Sequence, residues 1–237
     1  MQNKFVKQDT KFLSKIKKSI KNEIKKRGFE FNNEVYNIKH LTECPRRIVY
    51  RVNGSKCSNG SLSSETNYEN KFWASQSLQY TKKKWLKILD NCFGVNVVEK
   101  FVVAADSNYN ISGTVDAIIR CEDYVGALII DELENDEYIK AENQGGLRRQ
   151  IIEVMSAAWL TEVSHGILIC ENRNTNDYFM SHVIPHELVL NGIKNKFKEL
   201  MKRKIFQTEL PDRPYKNENN KECNICEYKD LCWAITK

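Results

Sequence analysis

Two groups of residues in this chain have the types and spacing to do chemistry. The first is Cys223, Cys226 and Cys232, a C-x2-C-x5-C run in KECNICEYKDLCW. Thiolates three residues apart reach one metal centre from a single turn, and a third can close around it. Three thiolates leave a four-ligand site one short. Cys44, in HLTECPRRIVYR, is the best fourth ligand, because Thr42 can cap a short helix that presents it. Cys92, Cys121 and Cys170 lie in or beside apolar segments and read as small buried hydrophobes. Cys57, in the polar stretch GSKCSNG, reads as a free surface thiol. Thiolates serve zinc and iron–sulfur centres alike, so spacing leaves the choice of metal open.

The second group is acidic. Asp116 sits in GTVDAII on a strand expected from Tyr109 through Ile119, and ALIIDELEN reads as the next strand, Ala127 to about Glu134. Period-two alternation puts Ile130, Glu132 and Glu134 on one face of it, and Asp131 and Leu133 on the other. Asp116 and Glu132 are then expected to converge, and two carboxylates on neighbouring strands suit Mg2+ or Mn2+, which take hard oxygen ligands. With Glu134 on the same face, three carboxylates would repel one another and recruit a divalent cation strongly. The plainer alternative is a charged rim at the ends of apolar strands. Lys140 is the nearest downstream lysine that could swing toward the acids.

Positioning these residues requires a sheet. A strand from Val95 to Ala104 and the turn formers Asp106, Ser107 and Asn108 precede the Asp116 strand. After the acidic strand, QGGLRRQIIEVMSAAWLTEV predicts a helix with Leu147, Ile151, Val154, Ala158 and Val163 on its buried side. GILICEN and NDYFMSHVI read as two further strands, followed by a basic helix and a tail with Pro211 and Pro214. That order predicts an α/β fold with a mixed central sheet flanked by helices. The expected organisation is a basic amphipathic helix over 1–30, a helical region with the first cysteine over 31–92, a core over 93–190, and a basic helix with the cysteine group over 191–237.

The net charge of +6 is unevenly spread. Residues 1–27 hold nine Lys and Arg27 against Asp9 and Glu23, a local charge of +8 that leaves −2 for the remainder. Phe12, Leu13, Ile16, Ile20 and Ile24 recur there at helical spacing. Lys194, Lys196, Lys198, Lys202, Arg203 and Lys204 form a second basic stretch. Two such stretches suit a polyanion such as DNA, although a solvated helix face has the same composition. No run approaches the roughly 18 apolar residues needed to span a bilayer. No apolar leader follows the basic N-terminus, so the expected location is the cytoplasm of a cell or infected host, where disulfides are rare.

The order of these features resembles the RecB-like PD-(D/E)xK nucleases that carry an iron–sulfur cluster. Those features are a single Cys followed by Arg-Arg, a GxxD strand, an acidic strand one hairpin later, a helix with Gln, and C-x2-C-x5-C at the end. The group includes the CRISPR-associated adaptation nucleases and the AddB-type recombination subunits, and the resemblance covers roughly residues 40–237. It implies a PD-(D/E)xK core with a cluster-bearing helical region, and cleavage of single-stranded DNA or DNA ends with Mg2+ or Mn2+. It further implies a structural 4Fe–4S cluster and a protein partner in a recombination or CRISPR adaptation complex. By this resemblance Asp116 and Glu132 match the metal-binding acids, Gln150 the positioning Gln, and Cys44, Cys223, Cys226 and Cys232 the cluster ligands. Three positions depart from the pattern. Glu134 stands where the catalytic Lys is expected, Val154 where a Tyr often follows the Gln, and residues 68–89 lack the family's His. With Glu134 in place, the resemblance also allows a catalytically weakened relative that binds DNA or a partner.

Overall fold

The computed structural model describes residues 6–7, 13–16, 18–19, 42–52, 65–109, 111–206, 210–226 and 228–234. β-branched residues alternating through the middle of the chain build strands β2 (Asn96–Asp106), β3 (Ile111–Cys121) and β4 (Tyr124–Leu133), which form an antiparallel meander. β5 (His165–Asn172) runs parallel to β4, and β6 (Tyr178–Val183) returns antiparallel to β5. Parallel neighbours need a crossover. Here it is made by helices α3 (Asn135–Gln144) and α4 (Arg148–Leu160). With β1 (Val6–Lys7) at its edge, the mixed sheet has the order β1-β6-β5-β4-β3-β2, so the α/β expectation holds.

Two differences from the expected elements have clear physical causes. The segment over 1–30 does not open as a helix, because Val6–Lys7 forms β1, an edge strand paired with Val183 and His182 of β6. Residues 13–16 and 18–19 are helical, with Leu13 and Ile16 fully buried; Phe12, Ile20 and Ile24 lie outside the described residues. The helix expected from Gln144 onward begins only at Arg148, and a separate helix, α3, ends at Gln144 before it. Gly145 adopts φ 72° and closes α3, its N–H on the Glu142 carbonyl, as left-handed caps do. Gly146, at φ 122°, has no room for a side chain: a Cβ there would lie 2.8 Å from Ile151 and 2.9 Å from Leu168.

The sheet buries both faces. One face packs Val154, Met155 and Ala158 of α4 against Ala127, Ile129, Leu133, Leu168 and Cys170. The other packs Trp85 and Leu89 of helix α2 (Glu65–Leu89), with Leu13 and Ile16, against Ile119, Leu128, Ile130, Ile167 and Ile169. Gly166 lets α4 approach the sheet closely, since a Cβ would lie 2.3 Å from a Val154 methyl. Gly166→Ala is expected to cost about 1–3 kcal/mol in chemical denaturation, as overpacking of a filled core does.

The remaining helices are α1 (Pro45–Val52), α5 (Glu187–Phe206), α6 (Lys221–Asn224) and α7 (Lys229–Ala234). Among the described residues no helix is long and apolar enough to cross a membrane. Of the basic stretch on α5, Lys196 turns inward and donates to the Glu43 carbonyl at 2.9 Å. Lys194 lies 4.8 Å over the Trp159 ring and Lys198 5.3 Å over Tyr109. These three lysines therefore pack against the chain as well as carrying charge; the side chains of Lys202, Arg203 and Lys204 lie outside the described residues.

Candidate active site

The β3–β4 ladder ends at the pair Ala117–Leu128. From there β3 stays with β2 down to Ile111, while β4 continues with β5 up to Leu133. Asp116 stands where the two strands part. Its Oδ2 accepts the backbone N–H of Ile130 at 2.7 Å, taking the role of a ladder carbonyl, and Asp116 is 1% exposed. Its Oδ1 accepts from Lys82 Nζ of α2 at 2.5 Å. A carboxylate this deep needs such partners, because an unpaired buried charge is costly.

Alternation along β4 then separates the acids. Asp131 faces α4 and accepts from Gln150 Nε2 at 2.8 Å. Gln150 is fully buried, and its Oε1 accepts the Leu147 N–H at 2.9 Å, so both ends of the amide are fixed. Glu132 faces α2. Its Oε2 accepts from Ser77 at 3.0 Å and Thr81 at 2.8 Å, and its Oε1 from Arg173 Nε at 2.8 Å. Next to it on β5, Glu171 is held by Lys84 and by Trp85 Nε1 at 2.7 Å. Gln150 is therefore the partner of Asp131, across the sheet from Glu132.

Glu134 lies one residue past the end of β4, as the residue preceding α3, and its side chain is 77% exposed. Arg173 reaches it at 3.3 Å while also holding Glu132. The repulsion expected among Asp116, Glu132 and Glu134 is thus answered by the chain's own cations, Lys82 and Arg173. Lys140 is exposed on α3; the lysine that meets the acids is Lys82. Besides Asp116, the buried carboxylates that act electrostatically on Lys82 are Glu153 of α4 and Asp131. Burial pushes the Lys82 ammonium down, and these three acids more than restore it, so its pKa is raised.

A divalent ion at the expected acids would have to compete with these contacts. Among the described residues no three His, Cys, Asp or Glu side chains form a cage for a metal ion. Mg2+ needs no such cage, being held by one or two carboxylates plus waters and substrate phosphates. Asp116 and Asp131 fit that requirement: they are hard oxygen donors, and the Lys82 ammonium is a stand-in cation on Asp116. Glu132 is the more fully held acid, with two hydroxyls and a guanidinium on its oxygens against one ammonium and one N–H on Asp116. Sequence reasoning missed Lys82, Asp131, Glu153 and Arg173; the only signal for Lys82 is a charged residue beside the buried Thr81 and Trp85 positions of α2.

The four cysteines come from opposite ends of the chain. Cys44 precedes α1, with Pro45 at the first helical position and Ile48 N–H on the Cys44 carbonyl at 3.1 Å, so Cys44 itself takes the position expected of Thr42. Cys223 and Cys226 share one turn, the Cys226 N–H on the Cys223 carbonyl at 3.1 Å, and Cys232 lies in α7. All four are half-buried. Burial pushes the Cys223 thiol up, and Cys44 and Cys232 add to this, which puts those sulfurs within electrostatic reach of one another. Arg46 NH1 approaches the Cys232 sulfur at 3.7 Å, and Tyr50 stacks on Tyr228 with centroids 5.5 Å apart. The donor set fits a thiolate-bound centre, with Arg46 and Lys229 to offset negative charge. Cys57 lies outside the described residues.

Cys92, Cys121 and Cys170 are buried in the two cores. Burial and the neighbouring Asp131 charge push the Cys170 thiol up to about 12. Only about one molecule in 10^5 then carries the thiolate at neutral pH. Cys170 is expected to resist alkylation in the folded protein and to react only on unfolding, as read by mass spectrometry.

No family model matches this chain, and no curated protein matches it. Among solved structures it is similar to SSO0001, at 16% identity over 95% of this chain and 97% of that one, with a TM-score of 0.47. It is similar to an alkaline exonuclease, LHK-Exo, from Laribacter hongkongensis, at 12% identity over 66% and 75% of the two chains, with a TM-score of 0.45. The complex of LHK-Exo with dAMP aligns at 11% identity over 83% and 92%, with a TM-score of 0.45.

Proposed function

We propose that this chain is a DNA nuclease of the RecB-like type, acting on single strands or ends, with its reaction centre where β3 and β4 part. The observation that carries this is the buried Asp116 carboxylate, held by the Ile130 N–H and already bearing a cation at 2.5 Å. In this reading Asp116 and Asp131 hold Mg2+ or Mn2+, replacing the Asp116–Glu132 pair expected from the strand pattern. The ion supplies Lewis acidity, polarising the scissile phosphate and easing deprotonation of the attacking water. The Ile130 N–H fixes the Asp116 carboxylate, and Gln150 fixes that of Asp131. The basic surface neutralises backbone phosphates, so affinity falls steeply with salt. Cys44, Cys223, Cys226 and Cys232 hold a 4Fe–4S cluster that ties the start of the core to its end, and the protein works with a partner in recombination, repair or spacer capture.

A second reading has one observation in its favour. All four oxygens of Asp116 and Glu132 carry protein donors, which suits a relative that keeps the fold and binds DNA without cutting it. Incubating labelled single- and double-stranded DNA with the protein and Mn2+ separates the two. Cleavage of at least one substrate, lost in Asp116→Asn, supports the nuclease. Retention of every substrate as an intact, shifted band supports the binding module.

A further inference from the structure

Lys82 holds a place that neither the strand pattern nor the cysteine spacing accounts for. It sits one position from Thr81, which donates to Glu132, and three from Trp85, which is buried against the sheet. The helix therefore points Lys82 sideways along the sheet, toward the gap between β3 and β4, rather than down onto β4. There its ammonium meets Asp116 at 2.5 Å, with a side chain 13% exposed against 2% for the aspartate. The lysine is thus the outer member of the pair. A four-carbon stem can carry its ammonium off the carboxylate with rotamer changes alone, leaving the backbone where it is.

We infer that Lys82 is a tethered cation that occupies Asp116 while no divalent ion is bound and swings off it when one binds. The inference rests on the reading of Asp116 as a divalent-ion ligand. One carboxylate oxygen cannot accept an ammonium at hydrogen-bond distance and ligate an ion in the same place, so the two cations exclude one another. Glu153 gives the displaced ammonium somewhere to go, since it already acts on it. The Ile130 N–H leaves Oδ1 as the oxygen that changes hands. The device has a use: it keeps a buried carboxylate compensated in the ion-free protein, and it sets the ion affinity lower than the bare acids would give.

The test is a Mn2+ titration of the full chain by calorimetry, comparing the natural protein with Lys82→Met, Lys82→Arg and Asp116→Asn. Lys82→Met is expected to bind Mn2+ at least tenfold more tightly, to melt lower without Mn2+, and to recover most of that loss when Mn2+ is added. Lys82→Arg keeps the competing charge and is expected to show no tightening. If Lys82→Met does not fold without ion, Lys82→Gln, which retains a neutral donor, replaces it with the same expectation. Mn2+ binding by the natural chain that is unchanged or weaker in both neutral variants overturns the tethered-cation inference alone. No Mn2+ binding by any form overturns the divalent-ion reading of Asp116 and the inference with it.

Discussion

Cys44→Ala protein, purified without oxygen, is expected to be colourless and to melt roughly 10 °C below the brown natural protein. The colour follows from thiolate-bound iron, which a four-cysteine cluster supplies and three cysteines hold poorly. The melting shift follows from chain connectivity. A cluster that joins Cys44 to Cys232 closes a loop of most of the chain, and closing a loop of 100 residues or more is worth about 4–5 kcal/mol. The fold does not depend on that tie alone. Arg46 also bonds the Pro211 carbonyl and approaches Cys232, and Tyr50 packs on Tyr228, so α1 and the C-terminal segment keep contacts without the cluster. Cys57→Ala is expected to change neither colour nor melting. Colourless natural protein with one zinc per chain would rule out the cluster and leave a zinc-bound tail.

The second large effect is expected at Asp116. Asp116→Asn keeps the shape but removes the charge, leaving Lys82 half-enclosed beside a neutral amide. Breaking a buried ion pair from one side costs about 3 kcal/mol or more. Here Glu153 and Asp131 still face Lys82, which places the loss toward the lower end of that range. DNA cleavage is expected to fall below detection while DNA binding is retained. Adding Lys82→Met to Asp116→Asn removes the stranded charge as well. The double variant is therefore expected to be more stable than the Asp116→Asn single, by an amount that a double-mutant cycle reads as the coupling between the two groups. A double variant less stable than either single would mean that the pair is not the source of the loss.

The acids show what could be read from residue pattern and what could not. Alternation placed Glu132 and Asp131 on opposite faces of β4, as the contacts to Thr81 and Gln150 bear out. It could not say which face carries the cation on Asp116, because that depends on Lys82, 34 residues away on another element. Glu134 looked like the third acid only while the strand was assumed to continue. The chain leaves the sheet at Leu133 and turns into α3, so the side chain ends in solvent. That helix had local signals: Asp136 and Glu137 in the first turn and Gly145 after the last. By contrast, β1 is two residues long and owes its existence to the open edge of β6, which no local pattern reveals. Gln150 was singled out by the resemblance alone, and its partner, Asp131, emerges only from packing.

The most direct test of the divalent-ion centre is a crystal of the full chain soaked in Mn2+ and measured at the manganese absorption edge. One strong anomalous peak is expected within ligand distance of Asp116 and Asp131, with the Lys82 ammonium moved off Oδ1. A peak at Glu132 and Glu134 instead, or none anywhere along β4 with Lys82 still on Asp116, would contradict it.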